Sequence, residues 1–269
     1  MTTDSVSKVF RVGQIVPSSN TTMETELPAI LRARESIASE RFTFHSSRMR
    51  MHRVNREELA AMDADSDRCA LELSDARVDV LAYACLVAIM SNGPGYHRIS
   101  ERRLEAVVAS NHHRAPVVTS AGALVEGLKA LGARKIALLA PYIKPLTSLV
   151  IDYLGQEGLE VHDSLSLGIE DNAAVGARDP LAPAELCKKL DVRGVDALVA
   201  SACVQMPSLP SIDILEKQMG IPVLSAAACT AFRVLGRLGI APVAPGAGLL
   251  LSGRLPSDRN GAVVSAARP

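Results

Sequence analysis

Two short runs organise the chain. Val78-Asp79-Val80-Leu81-Ala82-Tyr83-Ala84-Cys85-Leu86-Val87 and Val195-Asp196-Ala197-Leu198-Val199-Ala200-Ser201-Ala202-Cys203-Val204 each follow a Val-Asp pair with continuously apolar residues and then deliver a cysteine. Such runs are too short for helices and partly β-branched, so they predict buried parallel strands. The alternating or apolar stretches Arg11 to Pro17, Arg41 to Met51 and Pro116 to Ala121 predict further strands. Helical periodicity appears over residues 57–77 and 100–110, and again from 121 to Leu131-Gly132.

The pattern then restarts. Lys135 to Tyr142 repeats the first strand with its following proline, the Cys203 run repeats the Cys85 run, and Pro222 to Ala227 repeats Pro116 to Ala121. The helices after those last strands both close with Leu-x-x-Leu-Gly. Matches in one order predict two copies of one β/α unit. The fold class expected is α/β, with two pseudo-symmetric doubly wound domains, each a mainly parallel sheet flanked by helices, and the active site in the cleft between them. The expected division is 1–121 plus 231–269, carrying Cys85, against 122–230, carrying Cys203. Between them, Gly168 to Asn172 reads as a loop toward the cleft, and the tail from Pro245 to Arg254 has no assigned place.

Ligands in open α/β sheets gather outside the carboxyl ends of strands, where both cysteines fall. Opposed thiols can act as acid and base on two faces of a carbon, or as nucleophile and proton donor. An ordinary thiol has a pKa of about 8.5, so a nucleophilic cysteine needs nearby donors or a helix N-terminus. Cys69, Cys187 and Cys229 read as core packing. Ser18-Ser19-Asn20-Thr21-Thr22 precedes an acidic helical turn, a capping signal that also presents N–H groups able to receive an anion. From the local sequence, capping alone is the simpler reading of those residues. The six histidines show no metal spacing; His112-His113 reads as a solvated turn and His97 as a surface residue.

Composition narrows the function. Over 269 residues, 29 basic and 29 acidic side chains balance with no basic tract, which speaks against nucleic acid and anionic membrane surfaces. No apolar run is long enough for a membrane span, and the N-terminus lacks secretory-signal features, so a cytoplasmic location is expected. Five scattered cysteines without C-x-x-C fit reduced thiols rather than disulfides or zinc. Gly93-Pro94-Gly95 and Gly246-Ala247-Gly248 do not join strand to helix as a dinucleotide site would. No metal and no cofactor are expected.

Val16-Pro17-Ser18-Ser19-Asn20-Thr21-Thr22-Met23-Glu24, Tyr83-Ala84-Cys85-Leu86-Val87 and Ser201-Ala202-Cys203-Val204-Gln205-Met206-Pro207-Ser208 together resemble the maleate cis-trans isomerases of the Asp/Glu racemase superfamily. Thr119 to Leu124 and Leu251-Ser252-Gly253 extend the resemblance over nearly the whole chain. It implies cofactor-independent isomerisation of maleate to fumarate, with Cys85 as nucleophile and Cys203 as acid and base. It implies Asn20, Tyr142 and Asn172 as substrate-contacting residues, with Val87 and Val204 lining the pocket; Ser18 is added on the helix-terminus reading. A dicarboxylate ligand and a homodimer are likewise implied. Two alternatives stay open at this point: a two-cysteine amino-acid racemase and a non-catalytic dicarboxylate-binding protein. Arylmalonate decarboxylation fits less well, because that resemblance keeps a cysteine only at the Cys203 position.

Overall fold

The computed structural model describes residues 8–255. The first half runs β1 (Val9–Pro17), α1 (Met23–Arg34), β2 (Arg41–Met49), α2 (Arg56–Asp75), β3 (Val80–Tyr83), α3 (Leu86–Met90), α4 (Tyr96–Ser110), β4 (Val117–Thr119) and α5 (Ser120–Ala130). The second runs β5 (Lys135–Ala140), α6 (Lys144–Gln156), β6 (Glu160–Ser166), α7 (Asn172–Gly176), α8 (Ala182–Leu186), β7 (Ala197–Ser201), α9 (Leu209–Met219), β8 (Val223–Ser225) and α10 (Ala226–Arg237). The sheets are ordered β2-β1-β3-β4 and β6-β5-β7-β8, and every pairing is parallel. The expected duplicated α/β architecture is therefore present. In each sheet the strand order reverses between the first and third strands, which opens a crevice at their carboxyl ends.

The central strands β3 and β7 are buried along their whole length, as continuous apolar runs require. The duplication extends to one strand the sequence reading missed. Strand β6, Glu-Val-His-Asp-Ser-Leu-Ser, lies at a sheet edge and is largely half-exposed, so it carries no apolar run. The helix expected from residue 100 begins one turn earlier, at Tyr96, after a left-handed Gly95.

Helices α5 and α10 repeat each other down to their caps. Thr119 Oγ1 accepts from Gly122 N, and Ser225 Oγ accepts from Ala228 N. The two helices pack together, and α10 also reaches α1, β3 and β4 of the first half. Their close approach depends on Gly127: a Cβ there would lie 2.7 Å from Cys229 Sγ. Cys69, Cys187 and Cys229 are fully buried core residues, as expected. The segment after α10 bridges both halves. Arg34 of α1 donates to the carbonyls of Ala241 and Val243, while Glu216 of α9 accepts from Leu249 N. We propose the division at residues 121 and 230 on the strength of the two sheets and α10, with this tail shared. No helix among the described residues is long and apolar enough to cross a membrane.

Candidate active site

Each cysteine lies two residues past its central strand, and the same contact fixes both. Ala84 N donates to Ile15 O at 2.8 Å, and Ala202 N donates to Leu139 O at 2.9 Å. These bonds carry the first–third strand ladder one step beyond the strands and hold the following residue at the crevice. Cys85 and Cys203 consequently line one cavity. Asn20 after β1, Tyr142 after β5, Asn172 at the start of α7, Val87 and Val204 line it too.

Cys85 precedes α3 in extended backbone, and the nearby N–H groups of Ala88 and Val87 favour its thiolate. Burial nevertheless pushes the thiol up to about 12, with Cys203 and Asp63 adding to the rise. Burial thus holds Cys85 protonated at neutral pH. Burial also raises Cys203, opposed by Tyr142 and by the N–H groups of Gln205 and Met206; Gln205 N lies 3.4 Å from Sγ. Tyr142 OH donates to Ala202 O at 3.3 Å, and its own pKa is driven well above the ordinary value by burial. Ser201 Oγ reaches the carbonyls of Cys203 and Met206, which shapes the turn after β7.

Asn20 is buried, and its Oδ1 accepts from Met23 N at 2.9 Å. That oxygen fixes the start of α1 and turns the amide NH2 the other way. Asn172 Nδ2 donates to Ser19 Oγ. Ser18 is the predicted residue that the fold does not bring to the cavity. Its hydroxyl is engaged with the backbone of Met51, accepting from N at 3.0 Å and donating to O at 3.3 Å. Its role is to pin the loop after β2.

Pro17, Met51, Val54, Leu86 and Gln205 complete the cavity and were not singled out from the sequence. Gln205 follows Val204 directly, within the stretch Ser201 to Ser208 that carries Cys203. Met51 and Val54 sit among His52, Arg53 and Asn55, a polar setting that reads as solvent-facing. The free volume is about 10 Å³, close to the least that holds one water. No charged side chain lines the cavity among the described residues, and no cluster there could hold a metal ion. An anion bound here would be met by N–H groups, amides, a phenol and two thiols.

His97 departs from expectation. It is buried, because Tyr153 of α6 covers it: the Tyr153 hydroxyl accepts from His97 N at 3.2 Å and lies 2.5 Å from Nδ1. Burial lowers its pKa to about 4, so the ring is neutral.

A family model described as arylmalonate decarboxylase matches residues 12–251. The chain is 60% identical over 250 residues to a maleate isomerase of Geobacillus stearothermophilus, spanning 93% of this chain and all of that protein. The maleate isomerase Iso of Pseudomonas putida S16, in a cysteine-to-alanine variant crystallised with maleate, superposes with a TM-score of 0.90 at 59% identity, covering 91% and 98% of the two chains. A Nocardia farcinica maleate cis-trans isomerase, in a cysteine-to-serine mutant with a covalently bound succinylcysteine intermediate, gives 0.87 at 47% identity, covering 90% and 98%. Read with the two thiols at duplicated strand ends, these likenesses place the chain in the maleate isomerase family.

Proposed function

We propose that the protein isomerises maleate to fumarate without a cofactor, using Cys85 and Cys203. The observation that carries this reading is the meeting of two cysteines, one from each half, in a single cavity without charged walls. Cys85 first loses its proton to solvent and adds as thiolate to one alkene carbon. Electrons of the double bond move to the other carbon, where Cys203 delivers its proton. The product is a succinyl thioether in which the former double bond is single and one carboxylate can rotate. Cys203, now a thiolate, removes a proton from the rotated carbon. The double bond reforms as the carbon–sulfur bond to Cys85 breaks, and fumarate leaves. Replacing a high-barrier rotation by one addition, a rotation about a single bond and one elimination is covalent catalysis.

The assignment of Cys85 as nucleophile rests on the family resemblance. The N–H groups of Val87 and Ala88 favour the Cys85 thiolate, while Tyr142 sits against Cys203 as a partner in proton traffic. Negative charge gathers on a carboxylate during addition, and the amide groups of Asn20 and Asn172 are the donors at hand. Covalent and ligand-bound states of the relatives named above support the same chemistry. A homodimer and a cytoplasmic location belong to this reading; sedimentation would check the first.

A proton NMR time course with maleate and no additive tests the reading. Fumarate formed by the intact chain, and lost in Cys85→Ser and Cys203→Ser, is the expected result. Folded protein that leaves maleate unchanged would overturn it.

A further inference from the structure

Two side chains, one from each half, join the Cys203 loop to the opening of α1. Glu26 of α1 is buried, and its Oε1 accepts from Ser208 N at 2.5 Å and Leu209 N at 2.7 Å. Its Oε2 lies 3.5 Å from Ser208 Oγ. These N–H groups are the open end of α9, which would otherwise be buried without partners. The reply comes from Gln205. Its Oε1 accepts from Thr21 N at 2.9 Å and Thr22 N at 3.2 Å, and its Nε2 donates to Ser19 O and Asn172 O. That uses the full hydrogen-bonding capacity of the amide. Space is as tightly set as polarity: a Cβ on Gly176 would lie 2.9 Å from Gln205 Cδ and from Thr21 Oγ1.

We infer that Glu26 is a positioning residue for Cys203. It does not touch the cavity. It anchors the far end of the loop that carries Cys203, Val204 and Gln205, while Gln205 anchors the near end onto the loop that carries Asn20. With both ends held, the second sulfur keeps its place opposite Cys85. The clasp also explains a buried carboxylate with no basic partner among the described residues. Burial raises its pKa, and the two backbone N–H groups and the Ser208 hydroxyl oppose that rise. The catalytic consequence rests on the isomerase reading; the clasp itself does not.

The test compares Glu26→Ala, Glu26→Asp and Glu26→Gln. Alkylation of each cysteine by iodoacetamide is followed by peptide mass spectrometry, beside steady-state kinetics with maleate. Gln keeps an oxygen that can accept from both N–H groups, whereas Asp is one methylene too short to reach them. The Ala and Asp variants are expected to expose Cys203 selectively, while Cys69, Cys85, Cys187 and Cys229 stay as slow as in the parent. Their kcat should fall about tenfold to a hundredfold with KM little changed, the scale of a small misplacement of a catalytic group. The Gln variant should restore both readouts. Unchanged Cys203 alkylation in folded Ala or Asp variants would overturn the inference, as would a parallel rise at all five cysteines. If Ala does not fold, Asp decides. Should the parent chain leave maleate untouched, the isomerase reading fails, and alkylation still decides the clasp.

Discussion

The two halves share a frame and differ in what surrounds the sulfur. In the first, Cys85 stands at the start of α3, near the N–H groups of Val87 and Ala88 and within reach of the Asp63 charge. That carboxylate accepts from the hydroxyls of Tyr83 at 3.3 Å and Tyr96 at 2.7 Å, and Arg103 Nη2 lies 3.2 Å away. In the second, Cys203 sits in a turn against Tyr142, and α9 starts only after Ser208. A helix downstream of each cysteine takes a cap from the opposite half, α4 from Tyr153 and α9 from Glu26. The lesson is that duplication supplies the opposition of two thiols, while the local loops supply their different work. Both sulfurs are offered N–H groups that favour the charged form, and Cys203 alone is also held beside a phenol that can share a proton.

The strongest way to break this contrast is to remove each sulfur in turn. Cys85→Ala should lower turnover by at least ~10³-fold and abolish any covalent adduct, because no nucleophile remains. Cys203→Ala should lose turnover comparably yet still bind maleate. Mass spectrometry and calorimetric titration separate the two. An adduct on Cys203 in the Cys85 variant would reverse the assignment.

A pH profile sharpens the comparison next. Because burial raises both thiols, and Cys85 to about 12, the reactive thiolate is scarce at neutral pH. kcat/KM should therefore rise with pH through the ordinary thiol range near 8.5 instead of levelling there. A plateau by pH 7.5 in the free-enzyme profile would contradict the raised thiols.

Tyr142→Phe comes third. Removing a buried hydroxyl beside Cys203 should lower kcat about tenfold, on the order of one hydrogen bond to a reacting group. Equal alkylation rates at Cys85 in parent and variant would confine the effect to the second sulfur. The smallest effect is expected for Tyr153→Phe. It strips the cap from α4 without touching the cavity, so urea unfolding should register a loss of ~1 kcal/mol while kcat stays within about twofold.

Much of this frame is legible in the sequence because it is written in local patterns. The buried strands β3 and β7 are continuous apolar runs, and both cysteines follow at matching positions. Asn20, Tyr142 and Asn172 were reached through the resemblance, and the fold gathers them with Val87 and Val204. What escaped depends on contacts that no local pattern displays. Edge strand β6 carries no buried face of its own, and His97 is covered only because Tyr153 arrives from another helix. Gln205 finds its partners near residue 20, and Glu26 finds them near residue 208. Ser18 failed for a related reason: its hydroxyl had a nearer claimant in Met51.

The narrowness of the cavity has a consequence for survival in oxidising conditions. Thiols react with peroxides mainly as thiolates that the oxidant can reach. At rest both sulfurs are buried, held toward their protonated forms, and share space for about one water. The idle protein is thus a sheltered store of its own reagents. On the proposed mechanism, exposure to damage belongs to the working cycle, when one sulfur gives up its proton. Peroxide should then inactivate the protein faster during turnover than at rest.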